Sequence, residues 1–292
     1  MEQDFSFLSE ADVANADEQH LEAYAQRLAA AFEAKPTVAL AQEWLRAQLA
    51  LRRPEVLANC LERVRSWLDE ILGLKTEEEA TEDELLLLIQ WNETTLLWYR
   101  MQARLSDKFE ELAYYEEILH HTSARTEPRL RLAGHQARIR LLWAWQLWTQ
   151  QRRQLGLGHS LPAEVEGWLA QQQAACETEA RAELEAWQAE GELPAAFGLK
   201  RELALHLMRN DKPNEGLVRL KELVTDCGLL PDYHAGMLGE RLEELGEILS
   251  QYGKVEAAQR YLHQALAAYQ EAGEEWEVHA AQVESRLQEL AR

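Results

Sequence analysis

The chain has 292 residues, of which 47% are hydrophobic, and its 51 Asp and Glu outnumber its 30 Lys and Arg to give a formal net charge of −21. This length can bury a large core, while the negative charge argues against direct binding to nucleic acid or to anionic lipid. With only 14 Gly and 7 Pro, and with no β-branched run in period-two alternation, the composition predicts an all-α protein.

The N-terminal residues lack the basic start and the apolar run of a secretory signal. The longest apolar run, Leu85 to Ile89, falls far short of the ~20 residues that a membrane span needs. The three cysteines, Cys60, Cys176 and Cys227, are far apart and form no C-x-x-C spacing. These features predict a cytoplasmic protein without a disulfide framework or a zinc site.

Prolines and periodic apolar stripes divide the chain into about twelve predicted helices. We expect the following regions in chain order: an N-terminal tail at 1–16, N-terminal helical pairs at 17–124, long central helices at 125–190, and repeats with a C-terminal capping helix at 191–292.

Local signals mark several helix ends. Thr81, with Glu84 three residues later, predicts a capping box that opens a long helix. In the last third, breaks between short helices are expected near Asp211, Gly228, Gly253 and Gly273.

That last third contains two similar helix-turn-helix segments. In one of them Gly246 precedes Ala258 by 12 residues, and in the other Ala204 precedes Gly216 by the same interval. Small side chains at such positions let the two helices of a pair approach closely.

This pattern resembles the tetratricopeptide repeat, a helix-turn-helix unit that stacks into a right-handed superhelix with a concave binding groove. Leu242 stands where the family has an aromatic residue, and Gln270 stands where it has a closing proline. The resemblance is confined to the C-terminal third, and it implies an α-solenoid of antiparallel helix pairs that binds other proteins. The residues at the family's packing positions are Leu245, Gly246, Leu249, Ala258, Leu262 and Ala265.

The least ordinary composition lies between Arg125 and Arg153, where seven arginines and three tryptophans accompany a single acid, Glu127. Because guanidinium groups bind carboxylates and indole rings supply apolar contact, the composition of this helix predicts a face that binds a partner protein. Alternatively, the basic helix pairs with acidic neighbours inside the stack, such as Glu164, Glu166 or Glu179. The predicted face comprises Arg131, His135, Arg138, Trp145 and Arg152.

One sequence motif partly matches a metal site, the E-x-x-H of Glu117 and His120. A carboxylate-bridged helical bundle needs a second such motif, and the sequence has none. We therefore predict a non-catalytic adaptor or scaffold without a cofactor, which binds an acidic or extended segment of another protein. Three alternatives remain open: a regulatory or chaperone-like solenoid that controls a nucleic-acid-binding or secreted partner, self-association into a homo-oligomer, and a metal-dependent helical bundle enzyme.

Overall fold

The computed structural model describes residues 18–73, 75, 79–102, 109–154, 163–190, 193–210, 212–231 and 233–291, and within these ranges the side chains of 100, 109–112, 148–154, 163–164, 190 and 193–195 lie outside the description. The described residues form twelve α-helices and no strand, which confirms the all-α prediction. The predicted N-terminal tail lies outside the described residues.

The helices in chain order are α1 (Glu18–Ala34), α2 (Val38–Leu51), α3 (Pro54–Gly73), α4 (Glu82–Met101), α5 (Phe109–Ser123), α6 (Pro128–Gln154), α7 (Ala163–Glu190), α8 (Leu193–Arg209), α9 (Pro213–Cys227), α10 (Ala235–Gln251), α11 (Val255–Ala272) and α12 (Glu277–Leu290). A short 3-10 helix, Glu274–Trp276, precedes α12. Helices α6 and α7, of 27 and 28 residues, are the long central helices that the sequence predicts. Among the described helices, none has both the length and the apolar content that crossing a membrane requires.

The chain divides within α7 into two compact units, the first being Met1–Cys176 and the second Glu177–Arg292. In each unit, helices that follow one another in sequence pack side by side, as α5 does on α6 and α10 on α11. This is the packing of antiparallel helix pairs in an α-solenoid, as predicted. Helix α6 and the first half of α7 belong to the first unit, whereas the sequence predicts boundaries at residues 125 and 190.

Helix α4 is attached to α3 by two tryptophans seven residues apart. Trp91 Nε1 donates a hydrogen bond of 2.9 Å to the carbonyl oxygen of Leu61, and Trp98 Nε1 donates one of 2.9 Å to the carbonyl oxygen of Pro54. A buried indole N–H requires an acceptor, and a helical carbonyl oxygen has a second lone pair to offer. The two bonds fix the register of α4 against α3.

The start of α4 has the predicted capping box. The Glu84 backbone N–H donates to Thr81 Oγ1 at 3.3 Å, and the Thr81 backbone N–H donates to Glu84 Oε2 at 2.9 Å. Two N–H groups that the first helical turn would leave without partners are thereby satisfied.

In the second unit, the glycines of the two similar segments lie where helices touch. A Cβ atom on Gly216 would lie 2.6 Å from the carbonyl oxygen of Ala204, and one on Gly246 would lie 2.7 Å from Leu262 Cγ. Neither position can hold a larger side chain without movement of its neighbours, so the predicted close approach is confirmed. Val283 of α12 is fully buried against this unit, and most of the helix's other residues are exposed, as expected of a capping helix.

Candidate segment-binding groove

The predicted Arg–Trp face lies largely inside the first unit. His135 is 5% exposed, Trp145 is 2% exposed, and Arg138 is 0% exposed. Arg138 Nε donates to Glu116 Oε1 at 3.0 Å, and its Nη2 lies 2.8 Å from the same oxygen. Because a partner protein cannot reach these three side chains, the prediction of an exposed binding face is wrong at their positions.

The other two residues of the predicted face, Arg131 and Arg152, do not provide an exposed binding surface in its place. Arg131 is half-buried, and its Nη1 donates to the backbone oxygen of Thr126 at 2.7 Å. The side chain of Arg152 lies outside the described residues.

Helix α6 packs against both α4 and α5, and all its described side chains from residue 130 onward are buried or half-buried. Its arginines pair with acids of those helices, as Arg138 does with Glu116 and as Arg140 Nη1 does with Glu93 Oε1 at 2.7 Å. The alternative of acidic neighbours within the stack therefore holds for these two arginines, although their partners are not the acids that the sequence suggested.

The E-x-x-H residues Glu117 and His120 are both exposed on α5. Within the described part of the chain, no three His, Cys, Asp or Glu side chains converge in a way that could hold a metal ion.

A groove of about 280 Å³ lies in the first unit, where the end of α3, the start of α4 and the end of α5 meet. We call it the basic-rimmed groove. Leucine and isoleucine side chains line much of it, and three side chains of basic type lie on its rim. The ten lining residues within the described part of the chain are Leu72, Lys75, Ala80, Leu85, Leu88, Tyr114, Ile118, His121, Thr122 and Arg125. None of these ten is Asp or Glu, in a chain that contains 51 acidic residues.

Lys75 is held on the rim by the capping box of α4. Its Nζ lies 2.6 Å from Glu84 Oε1 and 2.8 Å from Glu84 Oε2. Burial by itself would raise the pKa of the Glu84 carboxyl, but hydrogen bonds from Lys75 and Thr81 outweigh it and lower that pKa below its usual value. Glu84 thus stays ionised at neutral pH and fixes the lysine in place.

Arg125 and two exposed side chains complete the rim. Arg125 Nη2 donates to Glu127 Oε1 at 3.0 Å, yet a quarter of the arginine side chain, 25%, remains exposed. His121 is exposed, and Tyr114 is 51% exposed. A large exposed aromatic beside an apolar groove is typical of recognition surfaces. The arrangement can take an apolar side chain into the groove and a carboxylate at its rim.

Of the residues that line this groove, the sequence indicates a functional role only for Arg125, the first residue of the basic stretch. No sequence pattern indicates a binding role for Lys75 or Tyr114, because their proximity depends on where three helices meet in the fold. No family model, curated protein or solved structure matches the chain.

Proposed function

We propose that this protein is a non-catalytic adaptor that binds an extended, acidic segment of a partner protein in the basic-rimmed groove. One observation carries the proposal: none of the described residues that line the groove is acidic, in a chain with a net charge of −21.

The groove offers two kinds of interaction to such a segment. A Leu or Phe of the partner would be buried among Leu85, Leu88 and Ile118, and full burial of a side chain of this size contributes about 1.5–3 kcal/mol. Carboxylates flanking that side chain would accept charge-assisted hydrogen bonds from Arg125 and Lys75, which fix the segment's orientation. Apolar contact supplies most of the affinity, and the basic rim supplies selectivity for acidic sequences.

The rest of the chain is consistent with this role. Stacked helix pairs present long surfaces to other macromolecules, and the resemblance to tetratricopeptide repeats favours a protein partner. The three cysteines all lie in the described part of the chain, form no disulfide there and are buried, as is typical of proteins in a reducing compartment. We accordingly assign the adaptor to the cytoplasm.

The proposal is tested by selecting peptides from a random displayed library on the full chain. We expect the selected peptides to share a bulky apolar residue flanked by Asp or Glu. A consensus peptide is then synthesised with a fluorescent label, and its Kd is measured by anisotropy.

Two double variants locate the binding site. Tyr114→Glu with His121→Glu changes exposed residues of the groove rim, and we expect it to weaken consensus-peptide binding about tenfold or more. The control, Tyr233→Glu with His263→Glu, makes the same changes at exposed positions of the second unit and should leave the Kd unchanged. Equal binding by both variants, or selected peptides without the shared apolar and acidic residues, would contradict the proposal.

A further inference from the structure

A second groove in the first unit has the opposite charge. It measures about 520 Å³ and lies between α1 and α3. The residues that decide its chemistry are the aromatic pair Phe32 and Trp67, the carboxylates of Glu33, Glu62 and Glu70, and the guanidinium of Arg63. We call it the acidic groove.

The aromatic pair is held rigidly within the helical stack. Phe32 is 5% exposed, and its ring centroid lies 5.4 Å from that of Trp67 and 5.5 Å from that of Trp44. Trp67 itself is half-buried, so part of its indole remains open to the groove. An indole face attracts cations as well as apolar groups.

Two of the carboxylates have no cationic partner among the described residues. Glu33 pairs with Arg63 across the groove, whereas Glu62 and Glu70, both exposed, form no ion pair within the part of the chain that the structure describes. These two residues are eight positions apart on α3, which places them about 12 Å apart along its axis and about 80° apart around it, and both line the groove. Trp67 lies between them along the helix.

We propose that the acidic groove binds an extended segment of a partner protein with the pattern Arg-x-Leu-x-Arg. Side chains two and four residues apart point to the same side of an extended chain, and four residues span about 13 Å, which matches the spacing of Glu62 and Glu70. The arginines meet the two carboxylates, and the central apolar side chain covers Trp67 and Phe32. Arginine fits better than lysine because its planar guanidinium binds a carboxylate through two hydrogen bonds and also stacks on indole.

This binding mode is independent of the adaptor function proposed above, since it uses another groove and a segment of opposite charge. The chain's net charge of −21 would also speed the approach of a basic segment at low ionic strength.

The probe is a fluorescein-labelled peptide with the core Arg-Ser-Leu-Ser-Arg, and its binding to the full chain is measured by anisotropy in low salt. We expect Glu62→Gln with Glu70→Gln to raise the Kd about tenfold. The matched control, Glu271→Gln with Glu289→Gln, removes two exposed carboxylates from the second unit and should leave the Kd unchanged. Binding should also weaken as salt is raised.

Two further peptides test the spacing and the charge. Moving one arginine by a single position turns it to the other side of the extended chain, and this peptide should bind more weakly than the probe. A peptide with leucine in place of both arginines tests for an apolar occupant, and we expect it to lose binding. The proposal is overturned if the wild type does not bind the probe, if both double variants bind it equally, or if the leucine peptide binds as tightly.

Discussion

Replacement of Gly216 by alanine should reduce the free energy of unfolding by about 1–2 kcal/mol. The new Cβ would lie 2.6 Å from the carbonyl oxygen of Ala204, and 2.7 Å from both the backbone nitrogen and Cγ of Met208. Two of these three atoms belong to the α8 backbone, so the clash is relieved only if α8 and α9 move apart. Such overpacking costs about 1–3 kcal/mol, and the upper part of that range applies because backbone must move. Subtracting the gain of up to about 1 kcal/mol from replacing a helical glycine by alanine leaves a net loss of about 1–2 kcal/mol.

Gly167→Ala provides the matched control within the same chain. This glycine lies inside α7, is exposed, and has no atom within 4 Å of a prospective Cβ. Its replacement should therefore raise the free energy of unfolding by about 0.5–1 kcal/mol. Urea unfolding followed by circular dichroism measures both changes, each at the transition of the unit that carries it. Stabilisation by Gly216→Ala comparable to that by Gly167→Ala would refute the close approach of α8 and α9.

Three further predictions concern buried ionisable groups. Arg138→Met leaves Glu116 buried without its cation and should destabilise the chain by about 3–5 kcal/mol in urea unfolding, whereas the double variant with Glu116→Leu should recover most of that loss. Burial lowers the pKa of His206 to about 4 against the opposing effect of Glu177, so as the pH falls the unfolded chain takes up a proton on this histidine before the folded chain does. The neutral histidine therefore contributes about 3 kcal/mol to the free energy of unfolding above about pH 6.5, and this contribution should be lost as the pH falls to about 4. His206→Gln should remove that pH dependence. The three cysteines are buried, and burial raises the pKa of Cys60, so a thiol reagent should label none of them in the native protein and all of them in urea; labelling of Cys60 without denaturant would contradict its burial.

Features set by a few neighbouring residues were predictable from the sequence. The capping box of Thr81 and Glu84 depends on a spacing of three residues, and the structure has both of its hydrogen bonds. The breaks at Gly253 and Gly273 follow from backbone conformation, since these residues adopt φ values of 69° and 102° that side-chain-bearing residues rarely reach. The small residues of the second unit were also recognisable, because close contact between two helices excludes larger side chains.

The burial of Arg138 and Trp145 could not be predicted in this way. Apolar periodicity describes one helix at a time, and it separates a buried stripe from a solvated one only when a single side of the helix is covered. Helix α6 packs against two other helices, and the charges of Arg138 and Arg140 are neutralised by Glu116 and Glu93, which lie 22 and 47 residues before their partners. The basic-rimmed groove depends in the same way on where the ends of three helices meet.

The indole bonds of Trp91 and Trp98 also restrict how the helices of the first unit can move. Sliding α4 along α3 by one helical turn would displace it by about 5.4 Å, and rotating it by one residue would turn both indoles by about 100°. Either motion breaks both bonds at once, because they connect the same two helices at separate heights. We therefore expect α3 and α4 to move together, so that widening of the acidic groove requires α1 and α3 to separate.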